Sequence, residues 1–259
     1  LTRKALQTEP FPIFEQWLHA VAQALAGRQL LLCIDEFEAL EAGIVAGRYD
    51  ERLLMMLRHL VQHQTGIRVL LSGSHHLDEL PPRWASALIN TFNLPVGFLD
   101  YDDALALVTQ PVADFPELYR PEAAQRILLL THRQPYLIQL LCQLLVERMN
   151  KAKRIPPTSW VEIPDVDVVL ALALERGAGY FGDLWQTEST GDDGKRVLAA
   201  LATATNTWLP LTDLRNVVTD DLNRSRVLKL LARRDIIERE QEGYKITIPL
   251  VAEYVRQLL

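Results

Sequence analysis

Glycine is scarce in this sequence, with 12 of 259 residues, about 5% where soluble proteins average about 7%. Cysteine is scarcer still: Cys33 and Cys142 stand alone. Two cysteines exclude a disulfide framework, and their apolar neighbours predict two buried thiols in a cytoplasmic protein. No apolar run nears the roughly 18 residues needed to cross a bilayer, so no membrane partner is expected. The opening Leu1-Thr2-Arg3-Lys4 has no apolar signal region behind it. Positive charge is in slight deficit, 27 Lys+Arg against 33 Asp+Glu for a net −6, which argues against a general polyanion binder but leaves a local basic face open. A phosphate loop of the form G-x-x-x-x-G-K-[ST] is missing altogether. The nearest string, Gly191-Asp192-Asp193-Gly194-Lys195-Arg196, has the wrong spacing, acids that repel phosphate, and Arg where a Mg²⁺-binding hydroxyl belongs.

Leucine is abundant, at 46 residues. A Leu-rich, Gly-poor chain is helix-rich. Phe14, Trp17, Leu18, Val21 and Leu25 recur at helical spacing and predict a helix over residues 12–26, with Pro12 at its start and Gly27 past its end. Leu30 to Ile34 is a short, continuous apolar run, and Ile67 to Leu71, with Arg68 inside it, is a second apolar run read as another buried strand. Continuous runs predict strands buried on both faces, as in a parallel sheet covered by helices. Helices are expected over 50–64 and 82–90, and a third strand over Phe92–Phe98. Alternating helix and strand over 1–98 signals an α/β layered domain.

Beyond Asp102 the pattern changes. Three helical segments, 102–112, 121–130 and 135–150, follow one another without a strand. Residues 151–165, with Pro156, Pro157 and Pro164, read as a linker. Residues 166–187 read as helix interrupted by Gly177, Gly179 and Gly182. Helices over 195–204, from 211 and over 221–234 precede a hairpin of 236–240 and 244–248 with a turn at Glu242-Gly243, then a closing helix from Pro249. Three helices and a hairpin make a winged helix-turn-helix.

The sharpest chemical signal is Asp35-Glu36 at the end of the first apolar run. A buried strand delivers both acids to its carboxyl end, where ligands of α/β sheets bind. Successive side chains point opposite ways, so Asp35 suits a hydrated Mg²⁺ and Glu36 a water attacking a phosphate. Equally, acids simply end many strands. Ser72-Gly73-Ser74 closes the second run 37 residues after Asp35, with a helix between. The two strands can then be parallel neighbours, with Ser72 or Ser74 at a γ-phosphate; an ordinary turn is the plainer reading. Arg83 starts the helix after that strand, as an exposed cap or an intersubunit arginine finger. His59 and His63 have the spacing of two metal ligands on one helical face, but Leu60 stands where a catalytic Glu would, which favours a solvated face. His75-His76 are expected at the polar surface.

In this order the residues resemble the P-loop ATPases of the AAA+/STAND group. Leu30–Glu36 looks like a Walker B strand and Ile67–Ser74 like a sensor-1 strand. Thr131-His132-Arg133-Gln134-Pro135-Tyr136-Leu137 resembles the lid motif of STAND and archaeal-type ATPases. Val96 to Ala104, followed by Pro111, looks like the entry to that lid. The resemblance spans roughly residues 12–150. It implies ATP and Mg²⁺ as ligands, Asp35 at the metal, Glu36 at the water, and Ser72, Ser74, Arg133 and Pro135 around the nucleotide. Two departures stand out: His132 and Arg133 occupy positions usually held by glycine, and the phosphate loop that should precede the Walker B strand is missing. Leu rather than Met at residue 1 predicts a chain cut from a longer parent, inactive alone because the backbone N–H cradle supplies much of phosphate affinity.

The expected organisation is therefore a Walker B half of the ATPase core (1–98), a helical lid (99–150), a linker and crossing (151–191) and a winged-helix domain (192–259). Its third helix carries Arg224, Arg226, Lys229 and Arg233, suited to DNA phosphates and base edges. Residues 192–259, however, hold 11 basic and 10 acidic residues, a faint footprint for a DNA-binding module. Packing within the protein or on a partner is the competing use, and self-association is left open. Two functions are carried forward: a nucleotide-driven switch, and a non-catalytic DNA-binding or adaptor protein that keeps the ATPase fold.

Overall fold

The computed structural model describes residues 8–153, 159–188, 191–204, 208–241 and 243–259. The chain divides into two compact units at Pro95/Val96.

The first unit begins with helix α1 (Pro10–Ala24), whose proline occupies the first turn, where a missing N–H costs nothing. Strand β1 (Leu30–Ile34) follows, then helices α2 (Glu38–Val45) and α3 (Arg52–His63), strand β2 (Ile67–Leu71) and helix α4 (Pro82–Ala87). The strands pair in parallel, from Leu30 opposite Ile67 to Ile34 opposite Leu71. The α2–α3 crossover supplies the long connection that parallel pairing demands. Leu18, Leu57, Leu60, Ile67 and Trp84 fill the core of this unit.

The expectations that the first run is covered on two faces and that the second is a buried strand are corrected. Leu30, Leu32 and Ile34 turn inward, while Leu31 is 58% exposed, Leu70 is 45% exposed and Cys33 is exposed. Among the described residues the helices cover one face only, so a run that reads as continuous in sequence alternates in space. Leu31→Ser should change stability by less than about 0.5 kcal/mol. Leu57, which is 0% exposed, should cost about 2–5 kcal/mol when cut to Ala. Urea unfolding of the two variants checks the contrast.

The expected third strand over 92–98 is also corrected: these residues form neither helix nor strand, and Phe92, Leu94 and Val96 are exposed. Pro95 has no N–H for a ladder, and the sheet of the first unit holds β1 and β2 alone among the described residues.

The second unit opens with helices α5 (Tyr101–Thr109), α6 (Pro121–Thr131) and α7 (Pro135–Lys151). Asp100 caps α5 by accepting from the Asp103 N–H, and Gln134 caps α7 by accepting from the Leu137 N–H. Along α7, Leu137, Ile138, Leu141, Leu144 and Leu145 are buried. Part of the predicted linker, residues 154–158, lies outside the described residues. Its later portion is tied down, with Val161 bridging Tyr119. Helix α8 (Ile163–Arg176) breaks at Gly177 before α9 (Ala178–Asp183) and a π-turn (Leu184–Glu188). A Cβ at Gly177 would stand 2.7 Å from the Phe181 ring and 2.9 Å from the Ala173 carbonyl, so the close packing of the two helices requires glycine there.

Helices α10 (Asp192–Thr203), α11 (Leu211–Val217) and α12 (Asp221–Arg233) then surround a small sheet. Strands β3 (Leu209–Pro210), β4 (Ile237–Glu240) and β5 (Gly243–Ile246) lie antiparallel in the order β3-β5-β4. Glu242 of the expected turn lies outside the described residues. Helix α13 (Pro249–Leu258) closes the chain. No helix among the described residues is long and apolar enough to cross a membrane.

Candidate functional site

The two strands of the first unit end level, so Asp35 and Ser72 leave the sheet side by side. Ser72 Oγ donates to Asp35 Oδ1 across 2.7 Å. The ladder runs one step beyond the strands: Ser72 N–H donates to the Ile34 carbonyl and Phe37 N–H to the Ser72 carbonyl. Asp35 Oδ1 also accepts the Glu36 N–H at 3.0 Å. Both bonds fall on one carboxylate oxygen, and Oδ2 keeps no protein partner among the described residues. One open carboxylate oxygen is the attachment that a hydrated Mg²⁺ commonly takes, so this donor set fits the cation.

Glu36 is exposed and has φ +49°. A non-glycine residue in the left-handed region costs about 1–2 kcal/mol. Here the turn is held by the Phe37–Ser72 bond and by the Asp35 carboxylate on the Glu36 N–H.

Ser74 is drawn elsewhere. Its N–H and Oγ both donate to Glu38 Oε1, each at 2.8 Å. Burial would raise the Glu38 carboxyl, but hydrogen bonds from its own N–H, from Ser74 and from His75 outweigh it and hold the group below the usual carboxylate range. Gly73 lies close beneath, and a Cβ there would displace the Glu38 carboxylate. Sequence reading missed Glu38; its place three residues after Asp35, at the first turn of α2, was the available signal. His75 is not plain surface, as its Nδ1 lies 3.4 Å from Glu38 Oε1.

Arg83 is committed within the unit: it pairs with Glu41 at 2.5 Å and Glu51 at 3.0 Å. It therefore does not stand as a solitary exposed cap. The rings of His59 and His63 lie 5.3 Å apart, and no cluster of three or more His, Cys, Asp or Glu placed to hold a metal occurs among the described residues.

Arg133 and Pro135 belong to the second unit. His132 and Arg133 have φ +48° and +64°, so they adopt the backbone that glycine would favour. His132 closes α6 and meets Phe98 edge-on at 4.9 Å. Burial lowers its pKa, helped by the neighbouring cations Arg133 and Lys245.

On α12, Arg226, Lys229 and Arg233 are exposed and share one helical stripe by their i, i+3, i+7 spacing. The expectation for Arg224 is corrected. It is 5% exposed, donates to the Val218 carbonyl at 2.7 Å, and pairs with Asp221. Its position two residues before Arg226 turns it to the inner face of the helix. Arg224→Ala should cost about 1–3 kcal/mol by stripping the Val218 carbonyl of its donor, while Lys229→Ala should stay within about 0.5 kcal/mol. Thermal melts of both variants test this.

No family model matches the sequence, and no curated protein matches it. Solved structures do resemble it. The Walker-type ATPase PabY2304 of Pyrococcus abyssi is 18% identical, with a TM-score of 0.58, over 99% of this chain and 72% of that one. The Thermotoga maritima RuvB Holliday junction branch migration motor is 13% identical, with a TM-score of 0.40, over 89% of this chain and 70% of that one. At this identity the first likeness is one of fold: a helix-rich α/β protein with a parallel sheet, similar to that Walker-type ATPase.

Proposed function

We propose that this chain is the carboxyl portion of an AAA+/STAND-type ATPase that works as a nucleotide-driven switch. Its parts would be the Walker B half of the core (1–98), the helical lid (99–150), a crossing (151–191) and a winged-helix domain (192–259). One observation carries the reading: Asp35 and Ser72 share a 2.7 Å hydrogen bond at the carboxyl ends of two parallel strands, where ligands of α/β sheets bind. Asp35 would hold a hydrated Mg²⁺ through Oδ2, and Glu36 would orient a water. When bound, Mg²⁺–ATP supplies the phosphoryl group to be transferred; the phosphate loop that would cradle it is not in this sequence.

In the full-length protein, Asp35→Ala is expected to weaken Mg²⁺–ATP binding by roughly tenfold or more, as loss of a charge-assisted contact does, and to leave metal-free ATP binding unchanged. Fluorescence titration with and without Mg²⁺ measures both. Equal Mg²⁺ dependence in the two proteins would defeat the assignment.

A second reading, a DNA-binding or adaptor protein without nucleotide chemistry, is favoured by the exposed stripe of Arg226, Lys229 and Arg233. It calls for DNA binding that weakens steeply with salt and is lost when Arg226 and Lys229 become Glu.

A further inference from the structure

The second unit carries a local charge that its composition conceals. Between α12 and the β4–β5 hairpin lies an open pocket of about 580 Å³, within the ~300–1,000 Å³ over which proteins take ligands. Its floor is apolar, built from Leu211, Leu228, Ala232 and Tyr244, and its rim carries Lys229, Arg233 and Arg239. All three cations are exposed, while Leu228 and Tyr244 are 4% and 7% exposed. The charges come from two elements. Lys229 and Arg233 stand one helical turn apart on α12. Arg239 lies opposite Tyr244 on the β4–β5 ladder, its guanidinium 5.7 Å from the ring centre. Asp221 and Arg224, which complete the wall, pair with each other. Four cations against one acid leave the pocket at +3. Successive strand residues point to opposite faces, so Glu238 and Glu240 turn away from the pocket that Arg239 faces, and Glu238 pairs with Lys245 at 2.8 Å.

The floor decides between two kinds of anion. The phosphates of a duplex have nothing to place in an apolar cavity. A helix-turn-helix also meets base edges with the N-terminal residues of its recognition helix, and α12 leads there with Asp221, whose side chain is 86% exposed and repels a polyanion. A short acidic peptide suits both halves of the pocket, with one large apolar side chain on the floor and carboxylates at the cationic rim. We propose that this pocket docks a partner protein through an acidic segment centred on a Leu, Phe or Trp. The inference holds whether or not the protein hydrolyses ATP.

The test is fluorescence polarisation with the full-length protein and short labelled peptides in which a central Leu, Phe or Trp is flanked by Asp and Glu. The same peptides with Ser at the centre and a mixed-sequence DNA duplex serve as comparisons. At least one apolar-centred peptide is expected to bind about tenfold or more tightly than its Ser counterpart, the worth of burying one large apolar side chain. Lys229→Glu and Arg239→Glu, on different elements, are each expected to weaken that peptide about tenfold or more by setting like charges together. Circular dichroism checks that both variants fold, and if Arg239→Glu does not, Lys229→Glu decides alone. Equal binding of apolar-centred and Ser-centred peptides, binding of no peptide, a duplex held more tightly than any peptide, or a folded Lys229→Glu protein that binds like wild type would each overturn the inference. None of these results bears on Asp35 or Glu36.

Discussion

Glu36→Gln is expected to lower ATP hydrolysis by the full-length protein about 10²–10⁴-fold, with ATP affinity nearly unchanged. The substitution keeps the size and polarity of the side chain and removes the negative oxygen that would draw a water's hydrogen. The backbone favours a special role for this position. Glu36 turns out of the strand at φ +49°, and its N–H is spent on Asp35, so its carboxylate stands free of the ladder. Phosphate release measured beside fluorescence titration of ATP separates the two effects; a variant as active as wild type would remove Glu36 from the chemistry.

The second large effect concerns stability. Trp84 is 0% exposed, meets the Phe37 ring edge-on at 5.7 Å, and donates its indole N–H to Glu41 Oε2 at 2.7 Å. Trp84→Ala is expected to cost about 3–5 kcal/mol through the cavity it opens, with a further penalty for the donor Glu41 loses. Whole domains are stable by only about 5–15 kcal/mol, so the first unit should lose most of its margin. Urea unfolding should show an early transition for that unit and an unmoved one for the second. The hydrogen bond from Arg83 also holds the Glu41 carboxyl below its ordinary value of 4.5. That contribution is complete above pH 4.5 and fades as the pH falls through the lower folded value.

The chemistry-bearing strands were legible because both kinds of evidence coincide on them: a short apolar run, then polar residues, with a helix between the runs. Hence Leu30–Ile34 and Ile67–Leu71 pair in parallel and Asp35 meets Ser72. What surrounds a strand is a tertiary fact. Nothing in the letters of Leu31 or Leu70 says that no helix among the described residues covers them. Phe92 to Phe98 has the composition of a strand and pairs with no strand among the described residues. Arg224 looked like its neighbours Arg226 and Lys229, and only the register of α12 against Val218 turns it inward. Glu38 escaped notice because its significance lies in Ser74 and His75, which are distant in sequence.

The central claim is that Asp35 and Ser72 form the metal edge of a nucleotide site. A crystal structure of the full-length protein with ADP, beryllium fluoride and Mg²⁺ tests it most directly. The expected result is an Asp35 oxygen bound to the cation directly at about 2.0–2.1 Å, or through one of its waters, with Ser72 still beside it. A nucleotide whose metal is held by other carboxylates, remote from Asp35, would contradict the account.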